Sequence, residues 1–140
     1  MNNVNKKIHG RLLMATGIIH VLLVITPGVY GDQFYQFMDS VFFNINDGLA
    51  DFPIIGGTLH HKEFAAFWFF YAGPLTFIYG YLLNEVEKIH GYVPVNQSIA
   101  FIIVSSIGAY MIPLSGMMFV LIPQGIYMYL RGKKLYKAQS

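Results

Sequence analysis

Apolar residues in this chain come in long uninterrupted runs. Phe64 to Leu83, FAAFWFFYAGPLTFIYGYLL, is twenty residues without a charge, bracketed by Lys62-Glu63 and Asn84-Glu85. A hydrocarbon layer ~30 Å thick is crossed by ~20 such residues, so the run predicts a membrane-spanning helix with its water boundaries at the brackets. Leu12 to Thr26 is apolar apart from Thr16 and His20, and Thr26-Pro27-Gly28 reads as its stop. A basic start and an apolar core also describe a secretory signal, but no small-x-small cleavage site follows, which favours a span. Gln97 to Leu130 is uncharged for 34 residues. As one helix it would be ~50 Å long, more than a bilayer holds. It must turn back, and Pro113-Leu114-Ser115-Gly116 is the central proline-and-glycine cluster able to form the apex.

Between the first two runs the pattern changes. Gly28 to Lys62 holds four aspartates and is broken by glycine and proline. Within it Phe34, Met38, Val41, Phe42, Ile45 and Leu49 recur at helical spacing among polar residues, which predicts a short amphipathic helix on the membrane surface, ending near Gly48. The expected fold is therefore all-α: a four-helix transmembrane bundle with an amphipathic interfacial helix between spans 1 and 2. It forms a single integral membrane domain over residues 1–140, with spans at about 11–28, 62–84, 97–112 and 117–130 and an outer loop at 29–61.

Charge adds orientation. With both termini inside, Lys6, Lys7, Arg11, Lys88, Arg131, Lys133, Lys134 and Lys137 are cytoplasmic and Lys62 is outside. That bias follows the positive-inside rule, and an even number of spans returns the chain to its starting side. Composition agrees: 55% of residues are hydrophobic and 11% charged, against roughly 25% charged in a soluble domain. The location expected is the cell membrane, multi-pass, with N- and C-termini cytoplasmic. A formal net charge of +2 without a basic aromatic stripe gives no reason to expect nucleic acid, and the lack of cysteine excludes disulfides, thiolate zinc sites and iron–sulfur clusters.

Local motifs are mostly structural. Aligning Gly48 with the invariant glycine of a calcium loop puts Phe43 and Ile45 where oxygen ligands are required, so Asn44 to Gly48 reads as a turn. Asn96-Gln97-Ser98 forms a glycosylation sequon but stands inside, where capping explains Asn96 and Ser98 better. His60-His61 lies at the outer boundary, ~12 Å from the depth of His20, too far apart to share one haem, and adjacent helical residues do not face one metal. Neither a metal nor a cofactor is expected.

Chemistry is expected near the midplane. At ~1.5 Å per residue, His20, Tyr71, Ser105, Ser106 and Gln124 all lie ~10 to 14 Å below the outer ends of their spans. An ionisable group at that depth is a functional candidate. Gly17, one turn before His20, leaves room for a neighbour, and Pro74 and Pro123 each free a carbonyl, near Phe70 and Phe119. The expected binding residues are His20, Trp68, Tyr71, Ser106 and Gln124, lining a pocket that binds or moves a small lipophilic molecule. One alternative is a proton-transfer enzyme of isomerase type with His20 as base and Tyr71 as acid. Another is an accessory subunit in which these polar groups bond only to one another. Whether the protein is an enzyme stays open. The expected partners are the bilayer and that ligand, and an oligomer is left open. On the second span Ala66, Gly73, Thr76 and Gly80 form a small-residue stripe opposite Trp68 and Tyr71, an invitation to close helix packing.

Gly17-Ile18-Ile19-His20, Phe67-Trp68-Phe69-Phe70 followed by Gly73, and Pro113-Leu114-Ser115-Gly116 resemble, in order and spacing, a family of small bacterial integral membrane proteins of unknown function. The resemblance covers most of the chain and implies a bacterial inner membrane. It singles out His20, Trp68 and Ser115 and carries no activity.

Overall fold

Turn residues punctuate the helices. The computed structural model describes residues 8–38, 61–113 and 115–139. Helix α1, His9–Ile25, stops before Thr26-Pro27-Gly28, where Gly28 takes a φ of 78° that a side chain would resist. A second helix, α2, Gly31–Phe37, follows directly, with the Gly31 amide bonded back to the Thr26 carbonyl. The long α3, His61–His90, ends where Gly91, at φ 79°, donates to the Glu87 carbonyl in a glycine C-cap. Helix α4, Val95–Met111, is followed by a π-helical turn, Met117–Leu121, and by α5, Ile122–Gln139. The described residues are thus all-helical, and the break between α4 and α5 falls on the Pro113 to Gly116 cluster.

One difference from the sequence expectation has a plain cause. Helix α3 runs six residues past the apolar boundary at Asn84, because its exposed end keeps helical partners, Lys88 bonding Glu85 three residues back, until Gly91 stops it. Of the surface helix, α2 and the Met38 turn lie within the described residues, while the remainder to Gly48, the Asn44 to Gly48 turn and His60 lie outside them. Among the described residues one helix, α3, is long and apolar enough over Ala65–His90 to cross a membrane, and α1 and α4 are shorter apolar helices.

The chain divides into two units, Leu13–Tyr79 and Met1–Leu12 with Gly80–Ser140. In the first, α1 and α3 cross at two glycines. A Cβ on Gly17 would stand 2.7 Å from the Gly73 carbonyl oxygen, and one on Gly73 would stand 2.6 Å from the Val21 side chain. Only glycine lets the two backbones approach so closely. Beside the crossing, Val24 and Phe34 are buried with Ile25, Met38, Phe67 and Phe70 against them, and Phe34 stacks on Phe70 at 4.6 Å. In the second unit α4 and α5 form an antiparallel hairpin: Gly108 meets Met117, Gly125 meets Ile102 and Gly132 meets Val93.

Leu13, Val24, Leu83, Val93 and Met128 are buried, yet many large apolar side chains stand exposed while several polar ones are enclosed. Ile19, Val104 and Tyr110 are 57%, 69% and 88% exposed, whereas His9, Asn84, Glu87, Ser98, Ser105 and Gln124 are buried.

Candidate functional site

The predicted binding residues fall in both units. In Leu13–Tyr79, His20 donates Nε2–H to the Phe69 carbonyl at 2.7 Å, and its ring tilts against the Phe69 ring at 4.4 Å. Since the acceptor is a carbonyl, the bond fixes the Nε2–H tautomer. This carbonyl lies one residue before the one that Pro74 was expected to free. Trp68 and Tyr71 meet edge to face at 6.1 Å, with Phe67 in ring contact with both. They are brought together on the exposed side of α3, while Ala66 and Gly73 of the small-residue stripe are buried. His20 forms neither a ring contact nor a hydrogen bond with Trp68 or Tyr71.

The same unit holds a cleft of about 400 Å³ lined by Gly17, Ile18, Val21, Leu22, Gly73, Pro74, Phe77 and Ile78. It exists because two missing side chains sit at the crossing and the Pro74 ring stands beside them. Its lining is wholly apolar, so it offers a guest shape and hydrophobic contact but no polar partner. His20 packs at its margin, its Cδ2 lying 3.3 Å from where a Gly73 Cβ would stand.

In the other unit Ser106 is exposed, and its neighbour Ser105 is the buried one. Gln124 is buried and donates Nε2–H to the His9 carbonyl at 3.1 Å. That bond leads to a layer the sequence reading missed. Glu87, fully buried, accepts the Gly10 amide on Oε2 at 3.0 Å, so an α3 carboxylate caps the first turn of α1. Helix α1 carries no acidic residue of its own there, and the positive end of its dipole favours an anion at that position. Gly10 permits the contact: a Cβ on it would lie 2.3 Å from the Asn84 amide nitrogen.

His9 completes the layer, buried to 1% exposure with its ring tilted on Tyr127 at 4.8 Å. It precedes the first predicted span. Burial, with the Arg131 charge acting in the same direction, pushes the imidazole down from 6.5 to about 4, so it is neutral at pH 7. Both ring nitrogens of His9, Asn84 Oδ1, Glu87 Oε1 and Gln124 Oε1 are buried without a hydrogen-bond partner. The Ser115 hydroxyl, at a position the resemblance singled out, is likewise buried and unpartnered. One signal in the sequence was available: Asn84 and Glu87 stand three apart on a helix that Gly91, not Asn84, terminates.

These features define a class: a small protein whose described residues are all-helical and hold one membrane-length helix, an apolar cleft in one unit and a buried polar layer in the other. A family of unknown function (DUF6463) matches residues 4–134, and the chain belongs to that family. No curated protein and no solved structure matches it.

Proposed function

We propose that this protein is an integral membrane protein of four spans, both termini cytoplasmic, that binds a small lipophilic molecule in the apolar cleft at the Gly17–Gly73 crossing. The observation that carries the reading is the wide exposure of large apolar side chains beside enclosed polar ones. Ile18 and Ile78, which line the cleft, are 50% and 54% exposed, while the polar side chains named above are buried. In water such an arrangement would expose apolar surface and desolvate polar groups at once, both unfavourable. In lipid both signs reverse, because the solvent is then as apolar as the side chains facing it. A wholly apolar cleft beside such a surface admits an acyl or isoprenoid chain. His20 at the margin, with Trp68 and Tyr71 on the same unit, supplies the few polar atoms that would orient a head group.

The experiment is mass spectrometry of lipophilic molecules that co-purify with the detergent-extracted protein. Ile78→Trp fills the cleft from its exposed rim without touching either glycine. The wild type is expected to retain a molecule enriched over bulk lipid, and Ile78→Trp to lose it. Equal retention by both proteins would remove the cleft from the argument. Topology is tested separately, since the chain has no cysteine to remove. Lys134→Cys in intact cells is expected to resist a membrane-impermeant maleimide and to react after permeabilisation. Labelling from outside would overturn the orientation.

Acid–base chemistry at His20 would have to use Nδ1, because Nε2–H is donated to Phe69. The binding reading needs no such freedom.

A further inference from the structure

Among the described residues Glu87 has no ion-pair partner, although the Arg131 charge reaches the neighbouring His9. The Glu87 side chain is fully buried, and the Gly10 amide is its partner. A backbone amide and a helix terminus offset a buried carboxylate in part, the dipole contributing the equivalent of about half a charge. Buried charges are otherwise paired or coordinate a cation. The same layer holds three oxygens without partners, Glu87 Oε1, Asn84 Oδ1 and Gln124 Oε1. They come from one neighbourhood. Glu87 bonds the Gly10 amide, Gln124 bonds the His9 carbonyl, and Asn84 stands one turn before Glu87 with its backbone where a Gly10 Cβ would be.

We propose that Glu87, Asn84 and Gln124 form a binding site for a monovalent metal cation, sodium or potassium, taken up at the first turn of α1. Hard cations prefer oxygen ligands, and carbonyl oxygens can replace their hydration shell. One carboxylate supplies one negative charge, which a monovalent ion neutralises. Divalent sites draw on several carboxylates or imidazoles, and among the described residues no three His, Cys, Asp or Glu side chains converge. A proton on the carboxyl would satisfy one acceptor and leave two, and a water molecule would bring no charge; a metal ion would bring charge and draw on all three oxygens. The site departs from the expectation of no metal, and it stands in the unit that does not hold the lipophilic cleft, so either proposal can fail alone.

The test uses the full chain in detergent, with sodium or potassium chloride titrated against choline chloride at constant ionic strength. Thermal unfolding and retention of radioactive sodium are the readouts. The midpoint is expected to rise along a saturation curve with one or both metals and to stay flat in choline. Glu87→Gln keeps the side-chain shape and is expected to weaken the apparent affinity about tenfold or more. Gln124→Leu should weaken it as well. A midpoint indifferent to the replacement of choline by either metal overturns the site, as does an identical metal response in Glu87→Gln. A midpoint that follows pH in choline but ignores both metals would assign the charge to a proton and overturn the metal as ligand.

Discussion

Gly10→Val is expected to destabilise the protein by about 3 kcal/mol or more, at the upper end of overpacking effects. The added Cβ alone would stand 2.3, 2.5 and 2.6 Å from the amide nitrogen, Cα and Cβ of Asn84. Two of those atoms are backbone within a continuous helix, so they cannot rotate away as a side-chain tip would. Relief requires α1 and α3 to separate at this level, and separation removes the Gly10 amide from the Glu87 carboxylate. The buried carboxylate would then lose its hydrogen-bond partner, adding a desolvation penalty to the steric one. Gly116→Ala is the control. Nothing lies within 4 Å of its Cβ position and its backbone is already right-handed helical, so it is expected to be neutral or slightly stabilising. Thermal unfolding of both variants in the same detergent measures the contrast. A Gly10→Val midpoint close to that of Gly116→Ala would show that the crossing yields.

That Gly17 and Gly73 each invite a close neighbour was legible in the sequence, because the cause is local to each helix; that they meet one another was not. Gly17 and Gly73 stand among bulky residues, and a small face at helical spacing has few uses besides packing. The hairpin break was legible for a similar reason, since an uncharged run too long for one span must turn where proline and glycine cluster. Depth counting was less informative: it put Ser105 and Ser106 at one level, but depth carries no azimuth, and residues 100° apart on a helix face different surroundings. Burial went to Ser105. The polar layer was hidden for a different reason. His9 and Glu87 lie in segments that a span-length criterion sets aside as a polar terminus and a polar loop. Their significance comes from contacts 77 and 115 residues away in sequence, Gly10 to Glu87 and His9 to Gln124. No periodicity within one helix reports such a contact.

His9 makes the protein's stability fall with acid over a window that can be stated in advance. Its folded-state value of about 4 lies below the ordinary 6.5, so an opened state takes up the proton first as pH falls. The contribution to stability is therefore fully present above about pH 6.5, declines as pH drops below it, and is exhausted near pH 4. The difference between those values corresponds to an effect on the order of 3 kcal/mol. Burial is the larger cause and the Arg131 charge the smaller. Tyr127 tilts its ring against the imidazole, and Glu87 bonds the amide of the next residue, Gly10. Carboxylates dominate at lower pH, so the informative range is pH 6.5 down to about 5. There, unfolding midpoints of the wild type in choline buffer are expected to fall with pH. Those of His9→Phe, which retains an aromatic ring against Tyr127 and cannot titrate, should stay nearly level. Equal slopes in the two proteins would mean that the imidazole reaches water in the folded state, and the buried layer would then be open at its α1 end.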